Sequence, residues 1–106
     1  MAASRIDTFK KMLEGDPANS LVLFGLANEY LKADQWVDAA DALDRYLKQA
    51  DDEGAAYGML ARAYEKIGRR EDARSSYERG IKVAEAHGHP SMAADFRMTL
   101  ETDYAD

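Results

Sequence analysis

Two histidines stand one residue apart in the segment AHGHP, and no other residues of this sequence are as well suited to acid–base or metal chemistry. His87 and His89 are the only histidines in the chain of 106 residues. An imidazole titrates near neutral pH, so a pair of them can relay a proton or bind a metal ion. The pattern offers no third ligand. The end of a helix also suits these residues, because a cation is stabilised there, and we favour this second interpretation.

Carboxylates are numerous, and the densest group lies in the segment QADDE at residues 49–53. Neighbouring carboxylates can do acid–base work or bind a hard cation, but this spacing is not that of a calcium loop. A solvated turn with a helix-capping aspartate explains the segment better. The sequence also lacks a glycine-rich phosphate loop and a nucleophile elbow. We therefore expect no enzymatic activity, no cofactor and no bound metal.

The composition is typical of a soluble globular protein, with 46% hydrophobic and 32% charged residues. The net charge of −6 argues against nucleic acid as a partner, since proteins that bind it usually carry a basic face. No cysteine is present, which excludes disulfides and thiolate metal sites. No apolar run approaches the ~18 residues that suggest a membrane span. The N-terminus has no apolar signal core, so we expect a cytoplasmic location and no membrane partner.

Helix-breaking residues divide the chain into six helical segments, which we expect at residues 4–14, 19–33, 36–49, 54–67, 70–86 and 90–104. Gly68 and Gly88 suit the left-handed position just past a helix end. Pro90 suits the first position of a helix. Asp34 and Asp52 are expected to accept hydrogen bonds from free amides at helix starts. The short connections predict that consecutive helices pack antiparallel.

The segments LANEYLKADQWVDAA at 26–40 and LARAYEKIGRREDAR at 60–74 agree at six positions, each pair 34 residues apart. A helix–turn–helix period of this length indicates a solenoid repeat. In each first helix the apolar residues recur at i, i+3, i+4 and i+7, which makes one apolar face. Alanines on that face allow two helix backbones to approach closely, and larger neighbours fill the space around them.

These residues resemble the tetratricopeptide repeat family. In residues 54–87 the match is carried by Tyr57, Leu60, Ala61, Tyr64, Ala73, Tyr77 and Gly80. In residues 20–53 it is carried by Leu26, Ala27, Tyr30 and Ala39, while Tyr46 and Asp51 depart from the family pattern. The resemblance implies an all-α fold, an α-solenoid of antiparallel helix pairs that forms a right-handed superhelix of about six helices.

The resemblance also implies one domain over residues 1–106. We expect an N-terminal half repeat at 4–18, full repeats at 20–53 and 54–87, and a C-terminal capping helix at 90–104. The capping helix carries an apolar stripe of Met92, Phe96 and Leu100 that can face the stack.

Proteins of this family bind a peptide or a partner protein in a concave groove lined by the first helices of the repeats, without chemistry of their own. By this resemblance the expected partner-binding residues are Leu21, Phe24, Asn28, Leu31, Gly58, Arg62, Glu65 and Lys66. A glycine inside a helix costs about 1 kcal/mol relative to alanine, so Gly58 needs a packing or a binding reason. Phe24 is equally suited to packing on the N-terminal helix or on a neighbouring chain.

A second hypothesis is a structural module that stacks or swaps helices with another chain, as a homo-oligomer. Short repeat arrays have open apolar ends, and Met98 lies away from the predicted apolar stripe of its helix. The sequence does not identify the partner under either hypothesis.

Overall fold

The computed structural model describes residues 2–105, with side chains from Arg5 onward, so the two end residues of the predicted domain lie outside the described part. It contains six helices: α1 (Ala2–Gly15), α2 (Ser20–Lys32), α3 (Trp36–Gln49), α4 (Ala55–Lys66), α5 (Arg70–Ala86) and α6 (Pro90–Asp103). Each helix begins and ends within two residues of its predicted range. Residues 2–105 contain no strand, and the predicted all-α class is confirmed.

The predicted helix ends are confirmed at four positions. Gly68 and Gly88 have φ values of 77° and 75°, in the left-handed region where glycine carries no steric cost. Pro90 occupies the first turn of α6. The Asp52 carboxylate accepts hydrogen bonds from the Gly54 and Ala56 amides, at 2.8 and 3.0 Å. These contacts fix the start of α4 without a capping side chain at Gly54 itself.

The prediction that Asp34 caps a helix start is wrong. Asp34 has a φ of 58°, and the residue that directly precedes α3 is Gln35, whose side chain makes no capping bond. Asp34 instead takes the left-handed position at the end of α2 that Gly68 takes one repeat later. The Gln35 amide bonds to the Tyr30 carbonyl at 2.9 Å, as the Arg69 amide does to Tyr64, also at 2.9 Å. Both bonds close the helix end with the same turn.

The chain divides into two compact units, Met1–Asp51 and Asp52–Asp106. In the first unit, α2 packs against both α1 and α3. Leu23, Ala27, Ala39 and Leu43 are completely buried, which is the predicted mixture of small and large core residues. The predicted limits of the half repeat, the two repeats and the single domain stay a prediction.

In the second unit, α5 packs against both α4 and α6. Its core joins five buried side chains: Ala61, Ala73, Tyr77, Phe96 and Tyr104. The stripe residues Met92 and Leu100 of α6 pack against this cluster. None of the six described helices combines the length and the apolar character that a membrane-spanning helix requires.

Candidate partner-binding surfaces

Helix α2, the first helix of the first predicted repeat, exposes part of its predicted binding face. The Asn19 side chain caps this helix by accepting a hydrogen bond from the Val22 amide at 3.1 Å. Leu21, in the first turn, is 84% exposed. Phe24 and Leu31 follow on the same helix and are half-buried. An apolar residue as exposed as Leu21 gains almost nothing from packing within its own unit.

Two of the predicted residues on α2 also make contacts inside their own unit. The ring of Phe24 lies 5.0 Å from the ring of Tyr46 on α3, measured between centroids. The Asn28 side-chain amide donates a hydrogen bond to the Phe24 carbonyl at 3.1 Å. This bond uses one of the two amide hydrogens of Asn28, and the other hydrogen and the side-chain oxygen remain available for further bonds.

A buried carboxylate lies on the opposite side of α2. Glu29 is only 4% exposed, and its Oε2 lies 3.3 Å from Lys32 Nζ and 3.7 Å from an Arg5 guanidinium nitrogen. The side chains of Arg5 and Lys32 are both largely exposed, and their charged ends reach the Glu29 carboxylate. The ion pairs therefore tie α1 to α2 and compensate the buried charge.

The second unit contains a cleft of about 470 Å³ between α4 and α6. Helix α4 contributes Ala55, Met59 and Arg62, and α6 contributes Met92, Asp95, Phe96 and Thr99, with Tyr77 of α5 also present. Such a volume falls within the usual range of ligand sites. Its lining combines apolar side chains with the polar residues Tyr77 and Thr99, and one charged residue comes from each flanking helix.

The two charged residues of this cleft are uncompensated. Within the described part of the chain, neither Arg62 nor the carboxylate of Asp95 forms a hydrogen bond or an ion pair, and both residues are exposed. The Thr99 hydroxyl instead donates to the Asp95 backbone carbonyl at 3.2 Å. The cleft thus offers one free cationic group and one free anionic group above an apolar floor.

Glu65 is engaged by two phenols rather than facing this cleft. Tyr104 donates to Glu65 Oε2 at 2.7 Å, and the Tyr77 hydroxyl lies 3.3 Å from the same oxygen. Arg70 stacks over the Tyr104 ring at 4.4 Å. An Arg74 guanidinium nitrogen donates to the Tyr104 carbonyl at 3.2 Å. These contacts therefore fix Tyr104, the residue that follows α6, at the turn between α4 and α5.

Burial and the Glu65 carboxylate alter the acidity of both phenols. Burial is the larger cause and raises the pKa of Tyr77 to about 12, with the negative charge of Glu65 adding to it. Burial and the hydrogen bond to Glu65 likewise raise the pKa of Tyr104 well above its ordinary value. Both phenols therefore stay neutral donors at physiological pH.

The histidines occupy two successive helix boundaries. His87 directly follows α5, and its backbone amide bonds to the Val83 carbonyl at 3.1 Å. His89 directly precedes α6, and its Nε2 lies 2.5 Å from Glu53 Oε1. This hydrogen bond, and then the charge of His89, lower the pKa of Glu53. Among the described residues, no three histidine or carboxylate side chains are grouped so as to hold a metal ion.

Comparison with known proteins decides what kind of scaffold carries these surfaces. A model of the tetratricopeptide repeat family matches residues 6–59. The TPR repeat-containing protein PA0015 of Pseudomonas aeruginosa is 34% identical over 95 residues, which cover 90% of this chain and 89% of that protein. This chain belongs to the tetratricopeptide repeat family. The family predicted from the recurring residues is thus confirmed.

The helical-repeat fold of this tetratricopeptide repeat protein is confirmed by a solved structure. The crystal structure of MamA superimposes with a TM-score of 0.69 at 22% identity, covering 92% of this chain and 66% of that one. At this identity the likeness concerns the fold alone. Tetratricopeptide repeat proteins generally serve as non-catalytic modules that interact with other proteins.

The four binding residues predicted on α4 of this repeat protein are not brought together at one cleft. Arg62 lines the cleft between α4 and α6, whereas Gly58 lies buried beneath the Phe96 ring and Glu65 contacts the two tyrosines. Lys66 is exposed at the end of α4. A binding role for each of the eight stays a prediction.

Sequence reasoning missed the part of this cleft that α6 provides. Met92 and Phe96 are predicted from sequence only as part of a packing stripe, and Asp95 is not predicted to have a role. The two methionines at positions 59 and 92 are the residues in the sequence that could have indicated this cleft. They indicate a shared cleft only once α6 is known to lie beside α4.

Proposed function

We propose that this tetratricopeptide repeat protein is a non-catalytic interaction module. It binds a peptide or a partner protein through the exposed faces of the first helix of each repeat, which are α2 and α4. The proposal assigns the chain no reaction, no cofactor, and no nucleic-acid or membrane partner, and it keeps the expected cytoplasmic location.

One observation carries the proposal: the first helices of the two repeats bury a shared Leu-Ala pair, and the residue that follows this pair differs between the repeats and is at least partly exposed. Leu26 and Ala27 are buried, as are the matching Leu60 and Ala61. The next position differs, with Asn28 half-buried in one repeat and Arg62 exposed in the other. Shared residues maintain the scaffold, whereas exposed and divergent residues are free to specify a partner.

The test compares exposed residues on first helices with equally exposed residues elsewhere. Leu21→Ser and Arg62→Glu alter the proposed faces of α2 and α4. Val37→Ser on α3 and Lys82→Glu on α5 make the same chemical changes outside those faces. We expect the first pair to reduce partner capture from native lysate and the second pair to leave it unchanged, with unaltered helicity in all four. Equal capture by all variants would contradict the proposal.

The structure also gives support to self-association as a second function. Met98 on α6 is 64% exposed, and Met12 on α1 is about half exposed. Exposed apolar side chains of this size are candidates for contact with a second copy. A mass that increases with concentration in sedimentation, and falls with Met98→Ser, would support this function. A monomer at every concentration would exclude it.

A further inference from the structure

From the cleft between α4 and α6 we infer a partner class: a peptide segment in which a large apolar side chain lies between a basic and an acidic residue. The inference rests on the proposed function, because it names what one of the first helices would bind.

The cleft walls fit one long apolar side chain. Met59 and Met92 are half-buried and come from opposite helices, and the Phe96 ring also lines the cleft. Thioether side chains are flexible and polarisable, so they adapt to aliphatic or aromatic groups of different shape.

The charges specify the neighbours of that apolar residue. The Arg62 guanidinium has five hydrogen-bond donors and no acceptor among the described residues. A carboxylate of the partner could therefore accept hydrogen bonds from it and balance its charge. Asp95 presents an anion that a partner ammonium or guanidinium group would complete. The two groups line the same cleft without pairing with each other. A single charged partner residue would satisfy only one of them.

The register of the two helices gives the spacing. Gly54 faces Met92, and four residues later Gly58 faces Phe96, so α4 and α6 run in the same direction. Asp95 is therefore level with Tyr57, five residues before Arg62 along α4. At about 1.5 Å per residue, the Cα atoms of the two residues lie roughly 8 Å apart along the axis. The Arg62 side chain extends back toward Gly58, where one guanidinium nitrogen lies 3.6 Å from the position of an added Cβ, so the charged groups are closer together than the Cα atoms. In an extended chain at about 3.3 Å per residue, a basic and an acidic residue on either side of one apolar residue lie within side-chain reach of both groups.

A leucine that enters the cleft between Met59 and Met92 leaves its two neighbours at the rim, because successive side chains of an extended segment point to opposite faces. The flanking Lys and Glu side chains are long and would turn back from the rim to reach Asp95 and Arg62, which line the same cleft. We commit to an acidic side chain as the anion, rather than a chain terminus.

The probes are short peptides, blocked at both ends, with Lys-Leu-Glu in a Gly/Ser background, titrated into the full chain at low ionic strength. We expect the parent peptide to bind. Replacing Glu by Gln should weaken binding roughly tenfold, the cost of one charge-assisted hydrogen bond. Replacing Leu by Ala should weaken it at least as much. A peptide with a free C-terminal carboxylate in place of Glu that binds more tightly would overturn the assignment.

Charge exchange between protein and peptide gives the sharper test. Arg62→Glu should lose the parent peptide but gain a Lys-Leu-Lys peptide, whereas Lys82→Glu on α5 should keep the parent preference. Binding of the parent that is indifferent to Arg62→Glu would overturn the inference, as would an absence of binding by every peptide. Self-association of the chain that Arg62→Glu abolishes would name a second copy as the occupant instead.

The two proposals fail in different ways. If Leu21→Ser and Arg62→Glu reduce partner capture but no peptide of this class binds, the chain is an interaction module with another specificity. If the peptides bind as expected while capture is unaffected by either variant, the cleft has the stated specificity but does not carry the captured partner.

Discussion

The ring of Phe96 lies directly on the backbone of Gly58: a Cβ placed on that glycine would be 2.7 Å from Phe96 Cε1. Gly80 meets the same ring, because its Cβ would lie 2.9 Å from Cε2. Helices α4 and α5 thus each place a glycine against the Phe96 ring, and Phe96 is only 6% exposed. The packing reason that Gly58 requires is therefore its contact with α6.

Gly58→Ala is expected to destabilise the protein. The added methyl would force the Phe96 ring to move, and overpacking of this kind costs about 1–3 kcal/mol. The better helix propensity of alanine returns at most about 1 kcal/mol. Urea denaturation followed by far-UV circular dichroism should show the lower stability, and Phe96→Leu added to Gly58→Ala should recover part of it.

Gly15→Ala is the matched control for this prediction. A Cβ at Gly15 would meet no atom within 4 Å, so the substitution should leave stability unchanged or raise it slightly. If Gly58→Ala is as stable as Gly15→Ala, the ring of Phe96 is not fixed against the glycine.

The helices and the repeat core could be predicted from sequence because their determinants are local or periodic. Gly68, Gly88 and Pro90 end or begin helices through their own backbone preferences. The recurring Leu-Ala positions are buried because each helix presents one apolar stripe. None of these inferences required knowledge of which residues distant in sequence would touch.

The cleft could not be predicted because it depends on the register of α6 against α4. The sequence of α6 matches the repeat pattern poorly, so no family position placed Phe96 on Gly58 or Met92 on Gly54. The prediction that Asp34 caps a helix start was wrong for a different reason. Aspartate suits both a helix cap and a left-handed residue, and only the hydrogen bond from Gln35 to Tyr30 decides between them.

Gly68→Ala is expected to lower the free energy of unfolding by about 1 kcal/mol, because alanine is strained at a positive φ. No atom lies within 4 Å of the added Cβ, so backbone strain is the only cost. Gly68→Asp should cost less than Gly68→Ala, since aspartate tolerates the left-handed region better. Thermal denaturation of the three proteins checks this order.

The corresponding change at Asp34 provides the reverse test. Asp34→Ala should destabilise by less than Gly68→Ala, by about the difference between Gly68→Ala and Gly68→Asp, because both positions close a helix with the same turn. Equal stability of Asp34→Ala and the wild type would show that the left-handed conformation at Asp34 is not required.

Alkaline pH is expected to destabilise the second unit through its two buried phenols. The raised pKa of Tyr77 means that the folded state holds this proton more tightly than the unfolded chain does. Its contribution to stability is complete below the ordinary value of 10.0 and is lost as pH rises through about 12. The ultraviolet absorbance of tyrosinate should show both phenols of this unit titrating above pH 10.0, as should Tyr30 of the first unit, whose pKa burial also raises.

Single variants assign those late phenols. Tyr77→Phe and Tyr104→Phe should each remove one late titration, while Tyr57→Phe should leave both in place. Glu65→Gln should lower the pKa of Tyr77 and Tyr104, because it removes the negative charge that opposes their ionisation. Unchanged late titrations in Glu65→Gln would show that burial alone sets them.

Acidic pH is expected to weaken the contact between Glu53 and His89. The hydrogen bond and the charge of His89 lower the pKa of Glu53 below its ordinary value of 4.5. The contribution to stability is therefore complete above pH 4.5 and is lost as pH falls through the lower pKa of the folded state. An NMR titration of the Glu53 carboxyl should show this depression, and His89→Gln should raise the pKa back toward 4.5. His87→Gln should raise it much less, because His87 acts only through its more distant charge. A Glu53 titration that His89→Gln does not move would contradict the pairing.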